Sequence, residues 1–212
     1  MNLSNHYYYF QSALTPRFCD ELIKYGISQQ EQLALTGGQT EKINKGKSLS
    51  EEDLKDLKKK RDSNIVWLND HWIYKEITPY IHEANKLAGW NFEWDFSESC
   101  QFTKYKLNQF YDWHCDSWEA PYINPNNKDI HGKIRKLSVT CSLSAPEDYE
   151  GGELEFDFRN MDPDKPTIRK CAEIKPRGSI VVFPSHVWHR VKPVTKGTRY
   201  SLVIWNLGYP FK

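Results

Sequence analysis

Residues 178–205 read GSIVVFPSHVWHRVKPVTKGTRYSLVIW. Two runs, SIVVF at 179–183 and YSLVIWNL at 200–207, are short and rich in β-branched and aromatic side chains, as strands buried in a sheet are. Similar runs precede them: FTKYKL at 102–107, IRKLSVTCSL at 134–143, GELEFDF at 152–158 and KCAEI at 170–174. PEDYEGG, NMDPDKP and KPRG lie between them and read as turns or loops. Short strands at this spacing predict a sandwich or barrel. No βαβ repeat, Gly-rich nucleotide loop, Walker motif or internal repeat competes with that reading.

Upstream the pattern is helical. Thr15 is placed to cap a helix with Pro16 at its first position, where the missing N–H costs nothing. Phe18, Leu22 and Ile23 give that helix one apolar face, and Gly26 lies near its end. Asn69 or Asp70 caps a second helix in which Ile73, Ile77, Tyr80, Ile81 and Ala84 recur with a 3.6 period, with a kink at Pro79 and an end at Gly89. Between the two, residues 29–64 read as a long, poorly globular excursion. Within it Ser50 can cap a short helix, EEDLKDLKKK, with Asp53 completing a capping box and the lysines facing solvent. Tyr7–Phe10 reads as a short edge strand. No linker divides the chain, so the expectation is one domain over 1–212, with N-terminal helical support over about 1–95 and a β core over about 96–212.

Composition excludes several function classes. The formal net charge of +1 sets up no global field toward nucleic acid or an anionic membrane. No apolar run approaches the ~20 residues of a membrane span. MNLSNHYYYF lacks the basic and apolar regions of a secretory signal. The five cysteines form no CxxC pair, and reduced thiols in a cytoplasmic setting are the simplest reading.

The chemistry gathers around two histidines and an aspartate. His114 and Asp116 form His-x-Asp, and in extended backbone the two would project to one side while Cys115 projects to the other. His189 follows 75 residues later. Two imidazoles and a carboxylate are the ligand set of a non-haem iron centre. His186 competes with His189 in the same tract, and either could be a core histidine near Trp188. Arg199 and Ser201 share a strand face. An inward guanidinium needs an anionic partner, either an intraprotein carboxylate or a bidentate ligand carboxylate.

Three segments then become familiar together: YKLNQFYDWHCD at 105–116, YEGGEL at 149–154 and the 178–205 stretch. They resemble the prolyl 4-hydroxylase-like branch of the 2-oxoglutarate and Fe(II)-dependent dioxygenases, over roughly residues 99–207, and the LTPRFCDELI helix is also typical of it. The resemblance implies a mainly β fold with supporting helices (α+β), built on a double-stranded β-helix or jelly-roll core. It implies His114, Asp116 and His189 as iron ligands, and the spacing to Arg199 is what favours His189 over His186. It implies Arg199 and Tyr105 as partners of the co-substrate's distal carboxylate, with Thr103 and Ser201 as lesser members of the pocket. The family often carries Gly where Asn108 stands, a departure that bears on a turn and not on a ligand.

The implied reaction uses Fe(II), 2-oxoglutarate and O2, with ascorbate as a candidate reductant. It releases succinate and CO2 and places a hydroxyl on C4 of a peptidyl proline. The expected partner is a proline-containing peptide or protein; no membrane or nucleic acid partner is expected, and the oligomeric state stays open. Trp113, Trp118, Tyr122 and Trp188 are the aromatic residues expected at the mouth, under loops at 118–133 and 29–64. The alternatives are another oxygenase substrate (a free amino acid, a lysyl side chain or a nucleobase) and a non-catalytic jelly-roll binding module.

Overall fold

The structure of the protein, a computed structural model, describes residues 5–44, 46–117, 120–158 and 168–211. The chain begins with strand β1 (Tyr8–Phe10), helix α1 (Pro16–Ser28), strand β2 (Gln32–Leu33) and helices α2 (Gly37–Asn44) and α3 (Glu51–Lys60). Strands β3 (Arg61–Asp62) and β4 (Asn64–Leu68) and helix α4 (His71–Leu87) follow. Then come β5 (Phe96–Ser97), β6 (Cys100–Tyr105), β7 (Phe110–His114), β8 (Ile134–Ser142), β9 (Tyr149–Gly151), β10 (Leu154–Asp157) and β11 (Ile168–Lys170). The last strands are β12 (Ile180–Pro184), β13 (Trp188–Val191), β14 (Val194–Gly197) and β15 (Arg199–Gly208).

The major sheet runs β1-β12-β8-β15-β6-β4-β2, with β5 added against β15. The minor sheet runs β11-β10-β13-β7-β3, and β9 pairs with β14 in a separate ribbon. From β6 onward the chain passes repeatedly between the sheets: β6, β8, β12 and β15 lie in the major one, β7, β10 and β13 in the minor one. Antiparallel pairing with this alternation is the jelly-roll form of a double-stranded β-helix.

The strand period of two sorts the side chains. On one face of the major sheet Phe102, Cys141, Leu202 and Ile204 pack against Leu22 of α1 and Ile73, Ile77 and Ile81 of α4. Burying each such aliphatic side chain contributes roughly 1.5–3 kcal/mol. On the other face Thr103, Tyr105, Arg199 and Ser201 turn toward the minor sheet, with Leu154, Phe156, Phe183 and Val191 between. One face therefore builds the core and the other furnishes the interior.

Several local expectations hold. Thr15 Oγ1 accepts from Phe18 N at 3.2 Å, Ser50 and Asp53 form the capping box of α3, and Tyr8–Phe10 is an edge strand. Others are corrected. KCAEI is not one strand: Ile168–Lys170 is, and Ala172–Ile174 forms a 3-10 turn because Cys171 and Ile174 are the buried positions, three apart. Asp70 stands at the N-cap of α4 without a capping hydrogen bond, its carboxylate accepting instead from the Tyr25 hydroxyl at 2.9 Å. PEDYEGG contains the short strand β9. The 29–64 segment is woven into both sheets, through β2 and the first residue of β4 in the major one and β3 in the minor one, and it buries Ala34, Leu57 and Arg61. NMDPDKP and Trp118 lie outside the described residues.

Candidate metal centre

Antiparallel pairing of β7 with β13 sets His114 directly opposite His189. Asp116 is not part of that ladder, contrary to the extended reading of His-x-Asp, because β7 ends at His114. The chain bends instead, and the Asp116 and Ser117 amides donate to Ser185 O at 2.8 and 2.9 Å. The bend brings the carboxylate between the imidazoles: Oδ1 lies 3.7 Å from His114 Nε2 and Oδ2 lies 3.6 Å from His189 Nε2. All three residues offer ligand atoms within 4.8 Å of one another.

Hydrogen bonds fix which atoms face the cluster. His114 Nδ1 donates to Asp112 O at 2.7 Å and His189 Nδ1 donates to Val187 O at 3.0 Å. A carbonyl only accepts, so each Nδ1 carries a hydrogen and each Nε2 is the ring nitrogen turned to Asp116. Burial, reinforced by His189, holds His114 down to about 3, so its imidazole is neutral at physiological pH. Burial alone would raise Asp116. The facing histidines, Arg135 and the Ser138 hydroxyl, which donates to Oδ2 at 2.7 Å, outweigh it and keep the carboxyl below its ordinary range. Two imidazoles, that of His114 held neutral, and a carboxylate converging on one point make a donor set for a divalent cation. His186 is exposed and lies outside the cluster.

A narrow cleft joins this cluster to the Arg199 side chain. Register places Tyr105 opposite Arg199 and Thr103 opposite Ser201, so all four share the interior face of β6 and β15. Arg199 is only 2% exposed. Its Nη1 donates to Ser201 Oγ at 3.2 Å, and the guanidinium lies 5.5 Å from the Tyr105 ring centroid. No carboxylate among the described residues lies within ion-pair distance of it. The cleft therefore carries a buried cation with no counter-charge among the described residues.

At the other end Trp205 lines the cleft, with the Arg135 guanidinium 3.9 Å above its ring and Trp67 6.1 Å away. Arg135 Nε donates to Glu98 Oε2 at 3.0 Å, and the Tyr122 hydroxyl donates to the other carboxylate oxygen at 3.1 Å. Trp113 and Trp188 do not line the cleft. Each adjoins a cluster histidine on its strand, so alternation turns it outward, Trp113 beneath Arg190. Sequence reasoning missed Trp205, Trp67, Ser138 and Tyr111. The Tyr111 ring stacks on His114 with centroids 3.5 Å apart, under the guanidinium of Arg61. Trp205 sits on β15, whose alternation could have been followed from Arg199 and Ser201; Trp67 comes from β4, and Ser138 reaches Asp116 from a distant strand, so neither gave a local signal.

Comparison with known proteins agrees with this geometry. The model of the 2OG-Fe(II) oxygenase superfamily matches residues 100–206. A PKHD-type hydroxylase of Synechococcus sp. (strain JA-2-3B'a(2-13)) is 41% identical over 78 residues, which are 36% of this chain and 31% of that protein. A PKHD-type hydroxylase of Prochlorococcus marinus is 35% identical over 109 residues, 51% of this chain and 41% of that one. The chain spans less than half the length of these relatives. The solved structure of the viral collagen prolyl hydroxylase of Paramecium Bursaria Chlorella virus-1, a 2OG complex, shares the fold at TM-score 0.61 and 21% identity, covering 97% of each chain. A Trichoplax adhaerens prolyl hydroxylase in complex with a hypoxia inducible factor peptide fragment does so at TM-score 0.58 and 18% identity, over 96% of this chain and 84% of that one.

Proposed function

The chain belongs to the 2OG-Fe(II) oxygenase superfamily, and from that premise we propose that it is a 2-oxoglutarate-dependent dioxygenase that hydroxylates prolyl residues in a peptide. The observation that carries the reading is the pairing, within one cleft, of the His114, Asp116 and His189 donor set with the buried Arg199, which has no carboxylate partner among the described residues. A buried guanidinium of that kind calls for an anion. A dicarboxylate whose far end meets Arg199 while its near end meets the metal answers both needs.

In this reading His114, Asp116 and His189 hold Fe(II). Arg199 and the Tyr105 hydroxyl take the distal carboxylate of 2-oxoglutarate, with Ser201 and Thr103 completing the pocket. Bound Fe(II), with 2-oxoglutarate and O2, supplies the oxidising chemistry that yields succinate, CO2 and a hydroxylated substrate. The chain itself positions and desolvates. Ser138 holds the Asp116 carboxylate, the two backbone carbonyls hold the imidazoles, and Phe183, Leu154 and Val191 keep the cleft apolar.

The substrate is the finer part of the proposal. Trp205, backed by Arg135 and flanked by the half-exposed Trp67, offers a flat apolar seat on which a proline ring can stack. The relatives are named hydroxylases, and the structural neighbours are prolyl hydroxylases, one of them in complex with a peptide. The test is oxygen-dependent succinate formation by the Fe(II)-loaded protein, screened by mass spectrometry over proline-rich peptides, free amino acids and nucleobases. One oxygen gained on a peptidyl proline, at C4, is the expected result. Oxygen gained on a free amino acid, a lysyl side chain or a nucleobase instead would retain the oxygenase and discard the peptide. Absence of metal binding would leave only a binding module.

A further inference from the structure

The Gly151-Gly152 turn lies against the buried Arg199 side chain. We infer that Gly152 is a positioning residue for Arg199: the place where its side chain would be is occupied by the aliphatic stem of that arginine. This rests on the reading of Arg199 as the co-substrate cation and adds the residue that aims it.

A Cβ built on Gly152 would stand 2.9 Å from Arg199 Cδ and 3.1 Å from Val194 Cγ2. Carbon atoms in good contact sit at about 3.5–4.0 Å, so something must move. Val194 is fully buried and Arg199 is 2% exposed, with the Tyr105 ring on another side of its guanidinium. The turn cannot withdraw either. Gly152 N donates to Pro193 O at 3.0 Å, and the β9–β14 ribbon is closed at backbone contact, where a Cβ on Gly151 would meet Pro193 O and one on Gly197 would meet Asp148 O. The displacement therefore falls on the arginine, whose guanidinium would leave the position from which it meets a carboxylate. A shift of about 1 Å in such a group can cost on the order of a hundredfold.

Gly152 also has φ +62, so any substitution there adds backbone strain unrelated to Arg199. Gly89 separates the two effects, because it has φ +72 with nothing within 4 Å of its Cβ. The experiment titrates Co(II)-loaded wild-type, Gly152→Ala, Gly152→Asn and Gly89→Ala proteins with 2-oxoglutarate and, in parallel, with 2-oxopentanoate, which lacks the distal carboxylate. Gly152→Asn guards against a misfolded alanine variant, since Asn tolerates left-handed backbone best and Asn108 already adopts φ 64 in this chain. Both Gly152 variants should lose roughly tenfold or more in 2-oxoglutarate affinity, while their Co(II) and 2-oxopentanoate affinities stay at the wild-type level. Gly89→Ala should lower only the melting temperature. Unchanged 2-oxoglutarate affinity in the Gly152 variants, or equal weakening of both oxo acids, would overturn the inference. Failure of the wild-type protein to bind 2-oxoglutarate at all would overturn the co-substrate reading itself and this inference with it.

Discussion

At the scale of single residues, groups outside the proposed ligand set hold its donors in place. Ser138 Oγ donates to Asp116 Oδ2 and lies 2.9 Å from Ser185 Oγ, whose backbone carbonyl receives the two amides of the bend. Outer contacts of this kind typically contribute 10- to 100-fold in metal affinity, so Ser138→Ala should weaken Co(II) binding by roughly that factor. Alanine at His114, Asp116 or His189 should abolish tight binding, and the exposed His186→Ala should leave it intact. A calorimetric titration in which His186→Ala loses the metal and His189→Ala keeps it would reverse the assignment. Burial also gives the metal-free protein a pH dependence. The folded chain holds His114 down to about 3 against an ordinary value of 6.5. Between those values the unfolded chain takes up a proton that the folded chain refuses, so stability is lost as pH falls below about 6.5 and regained above it. The urea midpoint of chelator-treated protein should therefore be lower near pH 5 than near pH 7.5, and the difference should shrink in His114→Asn. A pH-independent midpoint in the wild-type protein would refute this account of the site.

At the scale of elements, what could be read in the chain and what could not divide along physical lines. Local signals sufficed where the causes were local: Thr15 and Ser50 cap the helices they precede, and the 3.6-residue apolar repeat produced α4 with Ile73, Ile77 and Ile81 fully buried. The helix also runs on through Pro79 as one element, because its packed apolar face offsets one missing hydrogen bond. Ile77→Ala, deep in that face, should cost about 2–5 kcal/mol in chemical denaturation and leave metal affinity unchanged. Asn108 shows how a departure in sequence can be read physically. It occupies φ 64 at the turn between β6 and β7, a conformation Gly adopts freely and Asn tolerates. Asn108→Gly should fold as well as the wild type, and Asn108→Val should lose about 1–2 kcal/mol or more. What stayed illegible depends on partners remote in sequence. Residues 29–64 look polar and loose, but β2 and β3 are completed by edges of two sheets formed elsewhere in the chain, and two-residue strands carry no periodicity of their own. The same holds for the mouth: Trp113 and Trp188 sit next to the proposed ligands in sequence but on the outer face, whereas Trp67 and Trp205 come from strands that only the folded sheet brings together.

At the scale of the whole molecule, the barrel holds a charge that no described residue neutralises. The pair of sheets and the helices over one of them are built from well-packed apolar residues, yet Arg199 lies 2% exposed between the sheets with a serine hydroxyl and a phenol ring as its neighbours. Removing such a charge from water is costly unless a counter-charge is supplied. In the proposed enzyme that counter-charge is the co-substrate, so the ligand-free fold is less stable than its packing allows and ligand binding restores the difference. Arg199→Met replaces the guanidinium with an apolar side chain of comparable length and should separate the two roles. The metal-free, ligand-free variant should melt at or above the wild-type temperature, because the uncompensated charge is gone. The metal-loaded variant should lose the stabilisation that saturating 2-oxoglutarate gives the wild type, which amounts to about 2.7 kcal/mol at a hundred times the dissociation constant. Its affinity for the dicarboxylate should fall by about 2–5 kcal/mol, the usual consequence of deleting a desolvated charged partner, whereas Tyr105→Phe, which removes only a hydroxyl, should fall by less. Thermal melts of both proteins with and without 2-oxoglutarate decide the matter. If ligand-free Arg199→Met melts well below the wild type, the guanidinium is satisfied by the protein itself, and the pocket was not built around an incoming carboxylate.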